Sequence, residues 1–169
     1  SYLMAFEADK PSVLALTRQN LPQYAETDEG TYRGGYILKD AKKGKPDVIL
    51  MASGSEVELI YKAADVLESD GIKTRVVSMP CLDLFDDQDA AYKEAVLPRS
   101  VRARVAVEAA TAYSWDRYVG LDGTTVCIDH FGASAPAGVL FKEFGFTVDH
   151  VVAAAKASLK RVENWNKPL

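Results

Sequence analysis

Cysteine is scarce in this sequence: only Cys81 and Cys127 occur, and they form no CxxC spacing. Each lies in an apolar stretch, where a small buried thiol is an ordinary occupant. Neither a disulfide framework nor a thiolate metal site is therefore expected. Histidine is as sparse. His130 and His150 are the only two, and their spacing matches no zinc pattern. No window approaches the ~18 consecutive apolar residues of a membrane span, and no basic-plus-apolar leader opens the chain. A cytoplasmic protein that meets no membrane is the expectation. Positive charge is also in deficit, with 20 Lys+Arg against 24 Asp+Glu and a net charge of −4. Such a chain lacks the field that non-specific nucleic-acid binding needs, so no nucleic-acid partner is expected. There is no G-x-G-x-x-G, no P-loop lysine and no assignable Ser/His/Asp or Cys/His set. The chain opens Ser1-Tyr2-Leu3 without an initiator methionine, as expected of a piece of something longer.

What is present is an ordinary globular composition, 48% hydrophobic and 26% charged over 169 residues. A chain of this length suits one domain and can bury about 70% of its unfolded surface. The apolar run Ser12–Thr17 after Pro11 reads as a buried strand, and a polar, acidic connector follows from Gln23 to Arg33. A lone strand and a linker make no core. Residues 1–33 are therefore expected to be the torn edge of a neighbouring domain, and 34–169 the domain proper.

From Gly34 onward strand and helix patterns alternate. Strands are predicted at Tyr36–Lys39, Asp47–Ala52, Lys73–Met79, Arg102–Val107 and Thr124–Ile128. Helices are predicted at Ser55–Ser69, Gln88–Val96, around Trp115–Val119, at Pro136–Phe144 and after Thr147. In the first helix Val57, Ile60, Tyr61, Ala64 and Leu67 share one face. Ser55 with Glu58 gives a capping-box pattern, and Gly71 stops the helix. In the last, Val148, Val151, Val152, Ala155, Leu159 and Val162 share a face behind the N-cap Thr147. This order predicts an α/β fold of three layers, a mostly parallel, doubly wound sheet with one antiparallel edge strand.

Three places carry candidate chemistry. Ser53-Gly54-Ser55 joins a strand to a helix N-terminus, where free N–H groups can hold an anion, although a capped turn explains the same residues. Glu108 ends a strand, where α/β sheets place ligands, but a single carboxylate also serves as a cap or ion-pair member. Arg18 directly follows the first apolar run, and its planar fork suits a phosphate, a carboxylate or a structural ion pair. The residues alone stop at an α/β domain.

Several stretches together resemble the C-terminal end of transketolases. They are Leu16-Thr17-Arg18-Gln19-Asn20-Leu21, Met51-Ala52-Ser53-Gly54-Ser55-Glu56-Val57 and Val76-Val77-Ser78-Met79-Pro80. Glu94 to Pro98, Arg104 to Ala109 and Trp115 to Gly120 follow in the family's order. Phe131-Gly132-Ala133-Ser134-Ala135-Pro136 and Phe144-Gly145-Phe146-Thr147 close the series. Ala110 stands where the family usually has glycine, and Thr17 where serine is common.

The resemblance implies an enzyme that moves a two-carbon ketol unit from a ketose phosphate to an aldose phosphate. Thiamine diphosphate and a divalent cation (Mg²⁺ or Ca²⁺) would be bound by two earlier domains, through a G-D-G…N segment that this chain lacks. Gly120-Leu121-Asp122-Gly123 has an extra residue and reads as a turn. Arg18 matches the family's substrate-phosphate arginine. Residues 1–33 would end the pyrimidine-binding domain, and 34–169 would be a non-catalytic C-terminal domain supporting a homodimer. Its expected partners are sugar phosphates and the remaining transketolase domains. Other readings stay open: a separately encoded C-terminal subunit, part of a dihydroxyacetone synthase, or an independent anion- or nucleotide-binding regulatory module using Ser53, Gly54 and Ser55.

Overall fold

The computed structural model describes residues 2–165. Five strands form one sheet: β1 (Tyr36–Lys39), β2 (Val48–Ala52), β3 (Thr74–Ser78), β4 (Arg104–Val107) and β5 (Thr124–Val126). Their spatial order is β1-β3-β2-β4-β5. The pairs β2–β3, β2–β4 and β4–β5 are parallel, and β1 runs antiparallel to β3 at the edge. The doubly wound α/β reading with an antiparallel edge strand holds.

The sheet is covered on both faces because β2, Val-Ile-Leu-Met-Ala, is apolar at every position and wholly buried. A continuous apolar run of this kind belongs to a central parallel strand. Strand alternation then divides the core. Val48, Leu50 and Ala52 point to a layer with Ile60 and Leu67 of α2 (Glu56–Ser69) and Val151 and Ala155 of α7 (Val148–Trp165). Ile49 and Met51 point to the opposite layer, with Val77, Phe85, Val96, Trp115 and Tyr118. That layer is built from three short helices, α3 (Leu82–Asp86), α4 (Ala90–Val96) and α5 (Asp116–Val119). A further helix, α6 (Ala137–Glu143), buries no residue fully but packs Phe141 against the layer of α2 and α7.

Details depart from the sequence reading. Ser12–Thr17 forms no strand; Val13 and Leu16 are 93% and 69% exposed. A strand needs a neighbour to take its N–H and C=O groups, and the five-stranded sheet offers this segment none. Before it, α1 (Tyr2–Glu7) buries nothing. The helix predicted from Gln88 starts at Ala90, capped by Asp89, whose carboxylate accepts from the Tyr92 N–H at 2.8 Å. The preceding α3 was too short for its period to show.

The capping box at Ser55 does not form. Ser55 is itself helical (φ −68°, ψ −25°), and its hydroxyl donates to Glu56 Oε1 at 2.7 Å, while Glu58 pairs with Lys62. Thr147 does cap α7, accepting from the His150 N–H at 3.2 Å. No described helix is long and apolar enough to cross a membrane.

Candidate functional site

The strand order creates one topological switch point. From β2 the chain crosses by α2 to β3 on one side; from β3 it returns past β2 to β4 on the other. The two connections diverge at the carboxyl ends of β2 and β4, where a doubly wound sheet opens a crevice. The turn Ser53-Gly54-Ser55 leaves β2 there, with Gly54 at φ +55°, and Glu56 begins α2. Glu108 follows β4 directly.

Two acids thus share the crevice. Glu56 is only 3% exposed; its carboxylate accepts from the Ser55 hydroxyl at 2.7 Å and from the backbone N–H of Ala109. Burial holds it above the usual carboxylate range against those hydrogen bonds. Burial, then the charge of Glu56, pushes Glu108 up to about 7. Burial also pushes the neighbouring Cys127 thiol up to about 11. Neither Glu56 nor Glu108 has a salt bridge among the described residues. Near neutral pH Glu108 is therefore partly protonated beside Glu56.

This bears on the anion reading of Ser53-Gly54-Ser55. The N–H groups of Glu56 and Val57 already turn back to the carbonyls of Ser53 and Gly54, at 3.3 and 3.4 Å. An incoming anion would meet the Glu56 carboxyl at the same helix end, where its charge opposes binding. Glu108 was legible as a strand-end acid. Glu56 was missed, although it lies one turn before Ile60 on the apolar face of α2, a position unusual for an unpaired acid.

The other sequence candidates lie apart. Arg18 is exposed, at the centre of a local turn in which the Gln19 N–H donates to Thr17 Oγ1 at 3.2 Å. The structure does not bring it to the crevice acids. His130 and His150 are both exposed, and each has Nδ1 2.8 Å from a backbone oxygen, of Phe131 and Gly145 respectively.

The described residues do not fit a thiamine diphosphate and metal site. They contain no group of three or more His, Cys, Asp or Glu side chains able to hold an ion. Asp122, in the turn nearest to a G-D-G segment, is buried and ion-paired with Arg102 at 2.6 Å.

Fold and crevice together define a doubly wound α/β domain whose switch point is occupied by acids rather than by a phosphate cradle. Residues 34–147 match the family described as the transketolase-like TK C-terminal domain, and the chain belongs to that family. Transketolase 1 of Escherichia coli (strain K12) is 56% identical over 154 residues, covering 89% of this chain and 23% of that protein. A transketolase of Pichia stipitis, solved in complex with sedoheptulose-7-phosphate, superposes with a TM-score of 0.88 at 39% identity, over 96% of this chain and 24% of that one. A split-gene transketolase solved as an inactive β4 tetramer aligns with a TM-score of 0.59 at 26% identity, over 85% of this chain and 48% of that one. The chain therefore spans about a quarter of the length of the full transketolases it matches.

Proposed function

We propose that this chain is the C-terminal portion of a transketolase acting in the pentose phosphate pathway, and that it is non-catalytic by itself. The observation that carries the reading is 56% identity to Transketolase 1 of E. coli over nearly all of the chain but under a quarter of that enzyme. In the whole protein, a two-carbon ketol unit passes from a ketose phosphate to an aldose phosphate, and thiamine diphosphate with a divalent cation supplies the carbanion chemistry. Those groups bind in domains outside this chain. Residues 1–33 are the end of the preceding pyrimidine-binding domain and the linker that leaves it, and residues 34–169 pack beside that domain in a cytoplasmic homodimer. The inactivity of a split-gene β4 tetramer is consistent with a C-terminal part that needs the remaining domains.

Within this chain the functional residue is Arg18. Its exposed guanidinium, on a segment with no buried residue, is available to a neighbouring domain's crevice. There it holds the substrate phosphate bidentately and so orients the carbonyl for attack. In the whole enzyme, Arg18→Ala should lower kcat/KM for phosphorylated substrates by about 10- to 150-fold, the worth of a charge-assisted contact of roughly 1.5–3 kcal/mol. Unphosphorylated analogues should lose little. Equal losses on both substrate types would remove the phosphate role.

A further inference from the structure

The amino-terminal edge of the sheet, opposite the acidic crevice, carries the opposite charge. Arg104 is partly buried, and its donors are taken by carbonyl oxygens: Nε by Val101 at 2.9 Å, Nη1 by Tyr118 at 2.7 Å, and Nη2 by Leu97 and Pro98 at 3.1 and 3.0 Å. These dipoles satisfy its hydrogen bonds without cancelling its charge, and no carboxylate lies within ion-pair distance among the described residues. Glu94 is the acid whose field it feels. Arg161 is held the same way, by the carbonyls of Asp122 and Gly123 at 3.0 Å each. Of these neighbouring guanidiniums only Arg102 takes a carboxylate, that of Asp122.

Three more cations surround them. Lys45 donates to the Ser100 carbonyl at 3.2 Å. Lys73 lies 3.6 Å from Asp47, and Arg99 lies 3.7 Å from Glu94 with its side chain 90% exposed. Glu68 also reaches this edge, accepting from the Thr74 N–H at 2.9 Å, so six cations face four acids, on a chain whose net charge is −4.

The surface there is concave. One cleft of about 310 Å³ is lined by Lys45, Lys73 and Arg102, with Asp47 as its one acid. A second, of about 330 Å³, is lined by Arg99, Arg102, Arg104 and Asp122. Arg102 borders both. We propose that the two clefts form one groove that binds a small oligophosphate, an anion of two or three linked phosphate groups. The surplus of two positive charges favours such an anion. Arg99 offers a planar fork suited to phosphate oxygens, with Lys45 and Lys73 as point charges, while Arg102, its Nε and Nη2 already on the Asp122 carboxylate, borders the groove. Arg104 makes no direct contact; it is a fixed charge behind a low-dielectric wall, which focuses its field into the cleft. This site stands independently of the role given to Arg18.

The test is calorimetric titration of the 169-residue chain with tripolyphosphate at low salt, with citrate as an anion lacking phosphate. The variant is Lys45→Ala with Arg99→Ala, two surface changes whose folding is checked by circular dichroism. The expected result is saturable one-to-one binding that weakens as salt rises. It should drop tenfold or more in the double variant, be unchanged in Arg18→Ala, and be much weaker for citrate. As a second readout, tripolyphosphate should shield Lys45 from acetylation. Absence of saturable binding, equal affinity in the double variant, equal affinity for citrate, or loss of binding in Arg18→Ala would each overturn the groove.

Discussion

Glu108 shows how one residue sets a pH dependence for the whole domain. Its ordinary carboxyl value is 4.5 and its folded value about 7, so the folded chain binds this proton more tightly than the unfolded chain. The stabilisation this provides is fully present below about pH 4.5 and is lost as pH rises through 7. Above that, an ionised Glu108 sits half-buried near Glu56 without a cation. Glu108→Gln keeps the shape and removes the titration. In urea unfolding at pH 8 the variant should be about 1–2 kcal/mol more stable than the parent chain, a figure discounted for the solvent Glu108 still meets. At pH 4.5 the two should agree closely. A stability difference of the same size at both pH values would show that Glu108 is not the titrating group.

At the scale of elements, the joint between the linker and β1 rests on Gly34. It has φ +79° and caps the 3₁₀ turn Glu29–Arg33. A Cβ there would lie 2.3 Å from the Cys81 carbonyl oxygen and 2.5 Å from the Phe85 nitrogen. The close approach exists because Gly34 O accepts from the Cys81 N–H at 3.0 Å, fastening the start of β1 to α3. Gly34→Ala should therefore cost about 2 kcal/mol or more, from the left-handed backbone and from the overlap. Urea unfolding measures it, and a cost under about 0.5 kcal/mol would mean that α3 moves aside freely.

The same elements show what the sequence could and could not disclose. Apolar runs such as Val48–Ala52 and the 3.6-residue faces of α2 and α7 report burial directly, so the strands and long helices were legible with ends displaced by a residue or two. Arg18 and Glu108 were marked by position, one after an apolar run and one at a strand end. The Glu56–Glu108 pair was not legible, because it depends on β2 and β4 being neighbours across 52 residues of chain. Ser12–Thr17 carries a true strand pattern, but pattern supplies only one side of a hydrogen-bonded ladder. The basic groove is likewise a product of topology, gathering residues from Lys45 to Arg161 that are dispersed in a chain of acidic balance.

The molecule as a whole divides where packing begins rather than where pattern does. From Tyr2 to Gln23 nearly every residue is exposed, including Phe6 at 86% and Val13 at 93%. The ion pair of this stretch with the domain, Lys10 to Asp87 at 3.5 Å, lies between two exposed side chains and contributes little. Packing begins at Tyr24, whose ring stacks on Tyr61 with centroids 4.8 Å apart. Glu26 then accepts from the Tyr61 hydroxyl at 3.3 Å, and the 3₁₀ turn leads into β1. Deletion of residues 1–22 should therefore shift Tm by less than about 2 °C. Deletion of residues 1–33 should lower it by about 4–8 °C, since the stack and turn together are worth roughly 2 kcal/mol and each kcal/mol moves a chain of this size by 2–4 °C. Thermal unfolding of both truncations followed by circular dichroism distinguishes them. A large loss in the shorter truncation would mean that residues 1–22 belong to this domain's own core, and it would undo their assignment to a neighbouring domain's edge.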